Sequence, residues 1–291
     1  MLSLRFFKEP KCSLYASLKN RNFLMEFPSV RFPSEAYRPV KKPFLSKQHI
    51  AARRTFVRVC LKFPERANRI VFSDEKVFHS QPKQSNLMIR RRRGPEERFK
   101  PSNVLQQRTG GPSINVWYSI GPFGKGKLYC AENFNHFDFL ATKLTSSRSY
   151  PGFDSASYVN LLEHYALPEL DGRMDRGYYF MQDNASIHTA RTPDKKARLI
   201  DRLFQDRNCR VLKWPAKSPD LNPIEKCHFL IQIELDKLLA KYRPRNKRGL
   251  LRLVQRAWKQ VPTRMVLKTY YSFLATCLKV HEAKGLNNFR E

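Results

Sequence analysis

A chain of 291 residues with 55 Lys and Arg against 25 Asp and Glu carries a formal charge of +30. Self-repulsion on that scale opposes compaction, so composition predicts a polyanionic partner. Nucleic acid ranks first, because each neutralised phosphate releases a condensed counterion. No run approaches 18 consecutive apolar residues and no basic amphipathic helix stands out, so neither a membrane span nor a membrane partner is expected. Six scattered cysteines with no CxxC pair give neither a disulfide framework nor a zinc signature, which fits a reducing compartment.

The basic, apolar start before Glu9 and Pro10 is too short to read as a transit peptide. Residues 1–45 mix aromatics, prolines and basic residues without a period and read as poorly ordered or as a remnant of a larger region. From Ser46 a helix is predicted, with Ile50, Phe56, Val57 and Leu61 among basic residues, ending at Pro64. Strands follow at Ile70–Phe72, Leu87–Arg91, Ser113–Ile120 and Lys127–Ala131, an antiparallel meander. In the third, Ile114, Val116, Tyr118 and Ile120 share one face by alternation. A helix over Asp154–Leu167 places Tyr158, Leu161, Leu162 and Tyr165 on one face. A strand at Tyr178–Met181, a helix over about Pro193–Phe204 and a strand at Arg210–Trp214 come next. Asn222 opens a long helix with Ile224, Phe229, Ile231, Leu235 and Leu238 as its buried candidates. A basic break at Arg243–Arg248 precedes helices over Leu250–Gln260 and Thr263–Lys279. Strands first, then strands alternating with helices, predict an α/β fold with a mixed sheet flanked by helices.

Three acids stand in distinctive contexts: Asp74 in Phe-Ser-Asp-Glu, Asp183 in Met-Gln-Asp-Asn, and Glu225 in Ser-Pro-Asp-Leu-Asn-Pro-Ile-Glu. Two aspartates at neighbouring strand ends and a glutamate from a crossing helix suit a hard divalent ion, which takes carboxylates together with phosphate oxygens. Two such ions activate the attacking oxygen of a phosphodiester displacement and stabilise the leaving one. Each acid has a plainer reading. Asp74 reads equally as a turn cap, and Asp183 as an Asx-turn. Glu225 reads as the third position of a capping box opened by Asn222 and Pro223.

Jointly, Phe-Ser-Asp74-Glu, Gln182-Asp-Asn-Ala-Ser-Ile-His-Thr-Ala and Trp214-Pro-Ala-Lys-Ser-Pro-Asp-Leu-Asn-Pro-Ile-Glu resemble the Tc1/mariner transposases over roughly residues 46–285. The resemblance implies an RNase H-like fold in which Asp74, Asp183 and Glu225 are the catalytic, metal-binding triad for two Mg²⁺ or Mn²⁺ ions. It implies hydrolysis at transposon ends and attack of the new 3′-hydroxyl on TA target sites in double-stranded DNA. A homodimer and a nuclear location are part of the same expectation. Residues 1–62 then read as a partly disordered remnant of a helix-turn-helix DNA-binding region, and 63–285 as the catalytic domain. His188 reads first as a packed or capping histidine and second as one that touches DNA or the site, and Asp220 is a weaker candidate for the third ligand.

Three features depart from the family pattern. Only about 70 residues precede Asp74, which leaves room for the tail of one helix-turn-helix unit and predicts weak end recognition. The 41 residues between Asp183 and Glu225 exceed the common spacing by about two helical turns, which Thr192–Asn208 can absorb. Lys226-Cys227-His228 follows Glu225 where the family has a polar residue, an aliphatic one and a tryptophan. That change predicts a packing defect that His228 fills in part.

Two basic runs, Arg90-Arg91-Arg92-Arg93 and Lys241-Tyr-Arg243-Pro-Arg245-Asn-Lys247-Arg248, are the candidate DNA-phosphate contacts and match nuclear-import composition. The rival readings are a non-catalytic DNA-binding relic of a transposase and a general RNase H-fold nuclease or resolvase. The Ser-Pro-Asp-Leu-Asn-Pro-Ile-Glu segment argues against the last.

Overall fold

The computed structural model describes residues 42–81, 92, 94–98, 100, 103, 111–131, 153–174, 176–189 and 199–289. Among the described residues, five strands form one sheet: β1 (Ile70–His79), β2 (Ser113–Gly121), β3 (Gly124–Cys130), β4 (Tyr179–Met181) and β5 (Arg210–Val211), in the order β3-β2-β1-β4-β5. β1, β2 and β3 pair antiparallel, whereas β4 and β5 add in parallel. This is the mixed α/β sheet that the sequence predicts.

Alternation gives each face of the sheet its own core. On one face Ile70, Phe72 and Phe78 of β1, with Ile114, Val116, Tyr118 and Ile120 of β2, are buried together. That is the face expected for β2. It is covered by α1 (Lys47–Lys62), α8 (Ile224–Lys241), α9 (Lys247–Gln260), α10 (Thr263–Tyr271) and α11 (Phe273–Glu282). On the other face Val71, Trp117 and Phe180 pack under α4 (Ser155–Leu161), α5 (Leu167–Met174) and α7 (Leu199–Asp206). Short helical segments α2 (Pro64–Ala67), α3 (Pro95–Arg98) and α6 (Ser186–Thr189) lie between. Within the long Asp183–Glu225 connection, α7 falls in the Thr192–Asn208 stretch, and its Ile200, Leu203 and Phe204 are buried.

Several elements differ from expectation, each for a local reason. β1 runs ten residues, not three, because Ser73–His79 pair with β2 after the pairing with β4 has ended. β3 begins earlier, at Gly124, since the chain reverses over Pro122 and Phe123 with Gly124 at φ 91°, a left-handed conformation suited to glycine. Asp154 caps α4 through the Ser157 amide (2.7 Å). A π-helical turn, Leu162–Ala166, joins α4 to α5 just before Pro168, which has no amide hydrogen to donate. The wider turn delays the apolar stripe by one residue, so Ala166 is buried and Tyr165 is 41% exposed.

The predicted strand Arg210–Trp214 keeps only two ladder residues. Phe229 is 67% exposed, since it lies one step off the buried stripe Ile224, Cys227, His228, Ile231, Leu235 and Leu238. The last predicted helix is two, α10 and α11, broken at Ser272, whose hydroxyl turns back to the Thr269 carbonyl (2.7 Å). The predicted strand Leu87–Arg91 and residues 1–41 lie outside the described residues.

Helix α1 starts at a reciprocal cap between Ser46 and His49 and belongs to the compact unit Lys42–Glu291, so the contacts do not divide at 62/63. Its Phe56 packs on Trp214 and Phe273, and its Arg53 is fully buried. The Arg53 guanidinium donates to both carboxylate oxygens of Asp220 (2.6 and 2.5 Å) and to the Gly285 carbonyl (2.8 Å). Gly285 follows α11 at φ 88°, and a Cβ there would meet the Ile50 carbonyl at 2.6 Å.

Candidate active site

The sheet register positions two of the acids. β1 and β4 are parallel neighbours up to the pair Phe72–Met181, and two residues further along each chain come Asp74 and Asp183. Phe72 and Met181 both enter the core beneath α8, so alternation turns both aspartates to that face. Glu225, in the first turn of α8, meets them there. Asp74, Asp183, Asn184, Trp214, Asn222 and Glu225 all line one open cleft of about 340 Å³. Asp183 stands just beyond a strand end, as expected, whereas Asp74 lies mid-strand in β1. Its reading as a turn cap is thereby excluded.

Asp74 is the most strained charge in the cleft. Burial, and then the neighbouring Glu75, Glu225 and Asp183 carboxylates, push it up from 3.8 to about 8, against a backbone bond from the Glu75 amide. Two donors reach it: the Glu75 amide (2.8 Å) and the Asn222 side-chain amide (3.3 Å). Asn222 is therefore a brace between Asp74 and the start of α8, where its Oδ1 accepts from the Ile224 amide (3.3 Å). Sequence reasoning missed this role, because Asn before Pro reads as a helix cap.

Asp183 is held by one oxygen. Its Oδ1 accepts from the Ala185 amide (2.8 Å), so the Asx-turn is present, and it meets His188 Nδ1 at 3.0 Å. His188 is buried, with its Nε2 3.3 Å from Glu75 Oε1 and its ring against Tyr158 (4.3 Å between centroids). Burial opposes the imidazolium, but the bonds to Asp183 and Glu75 outweigh it and raise His188 to about 10. Asp183, although its burial opposes ionisation, is carried below its usual range by His188 and the Ala185 amide. His188 is thus both packed, as ranked first, and in contact with the site, as ranked second, bridging two acids. Glu75 was not singled out in the sequence because its partner is 113 residues away. Asn184 ties this segment to the Trp214 carbonyl (3.1 Å).

Glu225 is not a capping residue. Pro223 opens α8 with no side-chain cap, and the Glu225 carboxylate instead meets His228 Nδ1 at 3.0 Å. That bond holds Glu225 below its usual range despite its burial, while burial keeps His228 low, as a neutral ring. One ligand atom each from Asp74, Glu225 and His228 lie within 4.8 Å of one another. His228 fills the position where the sequence departs from tryptophan, edge-on to Tyr118 (5.6 Å).

Asp220, the weaker third-ligand candidate, is consumed by its bidentate pair with Arg53 and does not face the cleft acids. Lys241 at the end of α8, Arg243 and Arg245 on the connection, and Lys247 and Arg248 at the start of α9 are all exposed. Of the other basic run, Arg92 is exposed, and Arg90, Arg91 and Arg93 lie outside the described residues.

A mixed five-stranded sheet with acids gathered where β1 and β4 part, and a match of residues 142–244 to the family model of the DDE superfamily endonuclease, define a DDE-type endonuclease. The chain is 30% identical over 252 residues to the Tcb2 transposase of Caenorhabditis briggsae, covering 85% of this chain and 80% of that protein. To the Tc1 transposase of Caenorhabditis elegans it is 28% identical over 250 residues, with the same coverages. It belongs to the Tc1/mariner transposases. Solved structures share the fold at low identity. The Mos1 mariner paired-end complex with Mn aligns at TM-score 0.60 and 16% identity, covering 89% of this chain and 69% of that one. The Mos1 catalytic domain aligns at TM-score 0.55 and 16% identity, covering 87% of this chain and all of that one. The fold is accordingly RNase H-like.

Proposed function

We propose that the cleft hydrolyses phosphodiester bonds at transposon ends and then joins the freed 3′-hydroxyl to target DNA at TA sites. Asp74, Asp183 and Glu225 are the residues that would hold the two Mg²⁺ or Mn²⁺ ions. The observation that carries this reading is Asp74, a buried carboxylate crowded by three others and pushed to about 8. Such a group is relieved either by a proton or, when ionised, by a cation that shares its site. The donor set is rich in carboxylate oxygen, as a hard ion requires. Bound there, two divalent ions would activate the attacking oxygen and stabilise the leaving one.

The protein's own residues supply positioning. Asn222 orients Asp74, the His188 imidazolium fixes one oxygen of Asp183, and the Asn184 bond to Trp214 keeps the second acidic segment against the loop that leads to Glu225. The exposed run Lys241–Arg248 supplies phosphate contacts that position a duplex without reading its sequence. The Mos1 structures, described as paired-end complexes and as containing Mn or Mg, support the same assignments of DNA and metal. A second copy of the chain is the partner proposed for bringing two ends together, and the nucleus is the compartment.

The test is strand cleavage of supercoiled plasmid with Mg²⁺ or Mn²⁺, wild type beside Asp183→Asn. Metal-dependent nicking that falls about 100-fold or more in the variant is expected. Folded, DNA-bound wild type that nicks nothing overturns the reading.

A further inference from the structure

Two histidines flank the acids, and they are held differently. His188 uses both ring nitrogens on protein partners, Nδ1 on Asp183 and Nε2 on Glu75, and so braces the second aspartate. His228 uses one: Nδ1 is 3.0 Å from Glu225 Oε2, and Nε2 is buried with no partner among the described residues. Its ring is only 4% exposed and sits three residues along α8 from Glu225, on the same helix face.

The acids that come closest to a ligand set do so with this histidine. Asp74, Glu225 and His228 each place a ligand atom within 4.8 Å of the others, and Asp183 is not in that trio. His228 Nδ1 and Glu225 Oε2 are 3.0 Å apart, a hydrogen-bond distance; Nδ1 offers an ion its lone pair once its proton moves to Nε2, and neighbouring ligands on an octahedral ion with bonds of about 2.1 Å are spaced about as closely. An indole at this position, as the family pattern has it, offers a donor and no lone pair.

We propose that His228 is a metal ligand in this chain, so that a divalent cation is held by Asp74 and Glu225 oxygens and one imidazole nitrogen. The proposal rests on the reading of the cleft as a metal site. An imidazole in place of a third oxygen moves the site's preference along the transition series, toward Co²⁺ and Zn²⁺ and away from Mg²⁺. The family chemistry would then run here on a site that discriminates less against softer ions.

The experiment is pulsed electron paramagnetic resonance of Mn²⁺ bound to the full chain, free of any histidine tag, with Co²⁺ and Mg²⁺ affinities measured by calorimetry. Expected is ¹⁴N modulation of imidazole type in the wild type and in His188→Gln. It should be lost in His228→Gln and His228→Trp. Co²⁺ affinity should fall in the His228 variants by at least the roughly tenfold that even an outer partner of a metal ligand costs, and Mg²⁺ affinity by less. Modulation that survives both His228 substitutions overturns the proposal. So does Mn²⁺ that binds, is released by Asp74→Asn, and shows no ¹⁴N modulation in wild type; the metal reading then stands and His228 only braces Glu225. Wild type that binds no Mn²⁺ overturns the metal reading together with the proposal. Because the wild-type spectrum alone can refute the idea, the outcome does not depend on the His228 variants folding.

Discussion

Asp220 and Asp74 are both largely withdrawn from water, and they are treated in opposite ways. Asp220 receives both arms of the Arg53 guanidinium, which also donates to the Gly285 and Leu286 carbonyls, so one buried network ties α1 and the segment after α11 to the loop before Glu225. Asp74 receives two modest hydrogen bonds and three neighbouring negative charges. The first acid is satisfied by the protein and holds the fold. The second is left for something the protein does not supply. Within a chain of net charge +30 no shortage of cations explains the difference. Lys217 lines the same cleft and Lys76 acts on Glu225, but no cation is among the groups that shift Asp74.

The largest expected effect comes from breaking the satisfied half. Arg53→Met leaves Asp220 buried and alone, and should destabilise the protein by about 3–5 kcal/mol in denaturant unfolding. Replacing both partners, Arg53→Met with Asp220→Leu, should recover much of that loss, because paired apolar groups carry no stranded charge. If the double variant is as unstable as the single one, the carboxylate is not the source of the penalty.

The unsatisfied half should respond with the opposite sign. Asp74→Asn removes a crowded carboxylate, so the metal-free variant should be more stable than wild type by roughly 2 kcal/mol at pH 9. The acid is raised from 3.8 to about 8, so the folded state prefers its protonated form between those values. The gain from the substitution should therefore be nil near pH 4, grow as pH rises, and be complete above about pH 8. Excess Mg²⁺ should stabilise wild type and leave the variant unmoved. A variant less stable than wild type at pH 9 would remove the argument for a cation at Asp74.

The same contrast explains what the sequence made legible. β2 was readable because Ile114, Val116, Tyr118 and Ile120 alternate without interruption. β1 was seen for only its first three residues, since Ser73-Asp74-Glu75-Lys76 looks polar although it is a central strand. The polarity belongs to the cleft and not to a loop. The three acids were legible through the segments around them. The groups that hold them were not: Asn222 reaches Asp74 across 148 residues, and His188 reaches Glu75 across 113. Arg53 is one basic residue among several on α1, with no local mark that sets it apart. Only its partner 167 residues away reveals that it is buried. Local period and turn chemistry are written in short windows, and charge satisfaction is not.

The smallest effect sharpens the comparison within the cleft itself. His188 satisfies Asp183 as Arg53 satisfies Asp220, but with a group that can lose its charge. His188→Gln should cost about 1 kcal/mol at pH 7, a figure kept low because the Asp183 side chain is 47% exposed. The histidine is raised from 6.5 to about 10 by its two acidic partners, against the pull of burial. Its charge therefore contributes fully below about pH 6.5, and the contribution is lost as pH climbs through 10. The melting temperatures of wild type and variant should differ most near pH 6 and converge by about pH 10 to 11. Asp74→Asn shows its gap in the alkaline range and His188→Gln loses its gap there, so the two pH profiles should cross. Parallel profiles would mean that the two aspartates, although they share a cleft, are not held in the opposed electrostatic states that the geometry gives them.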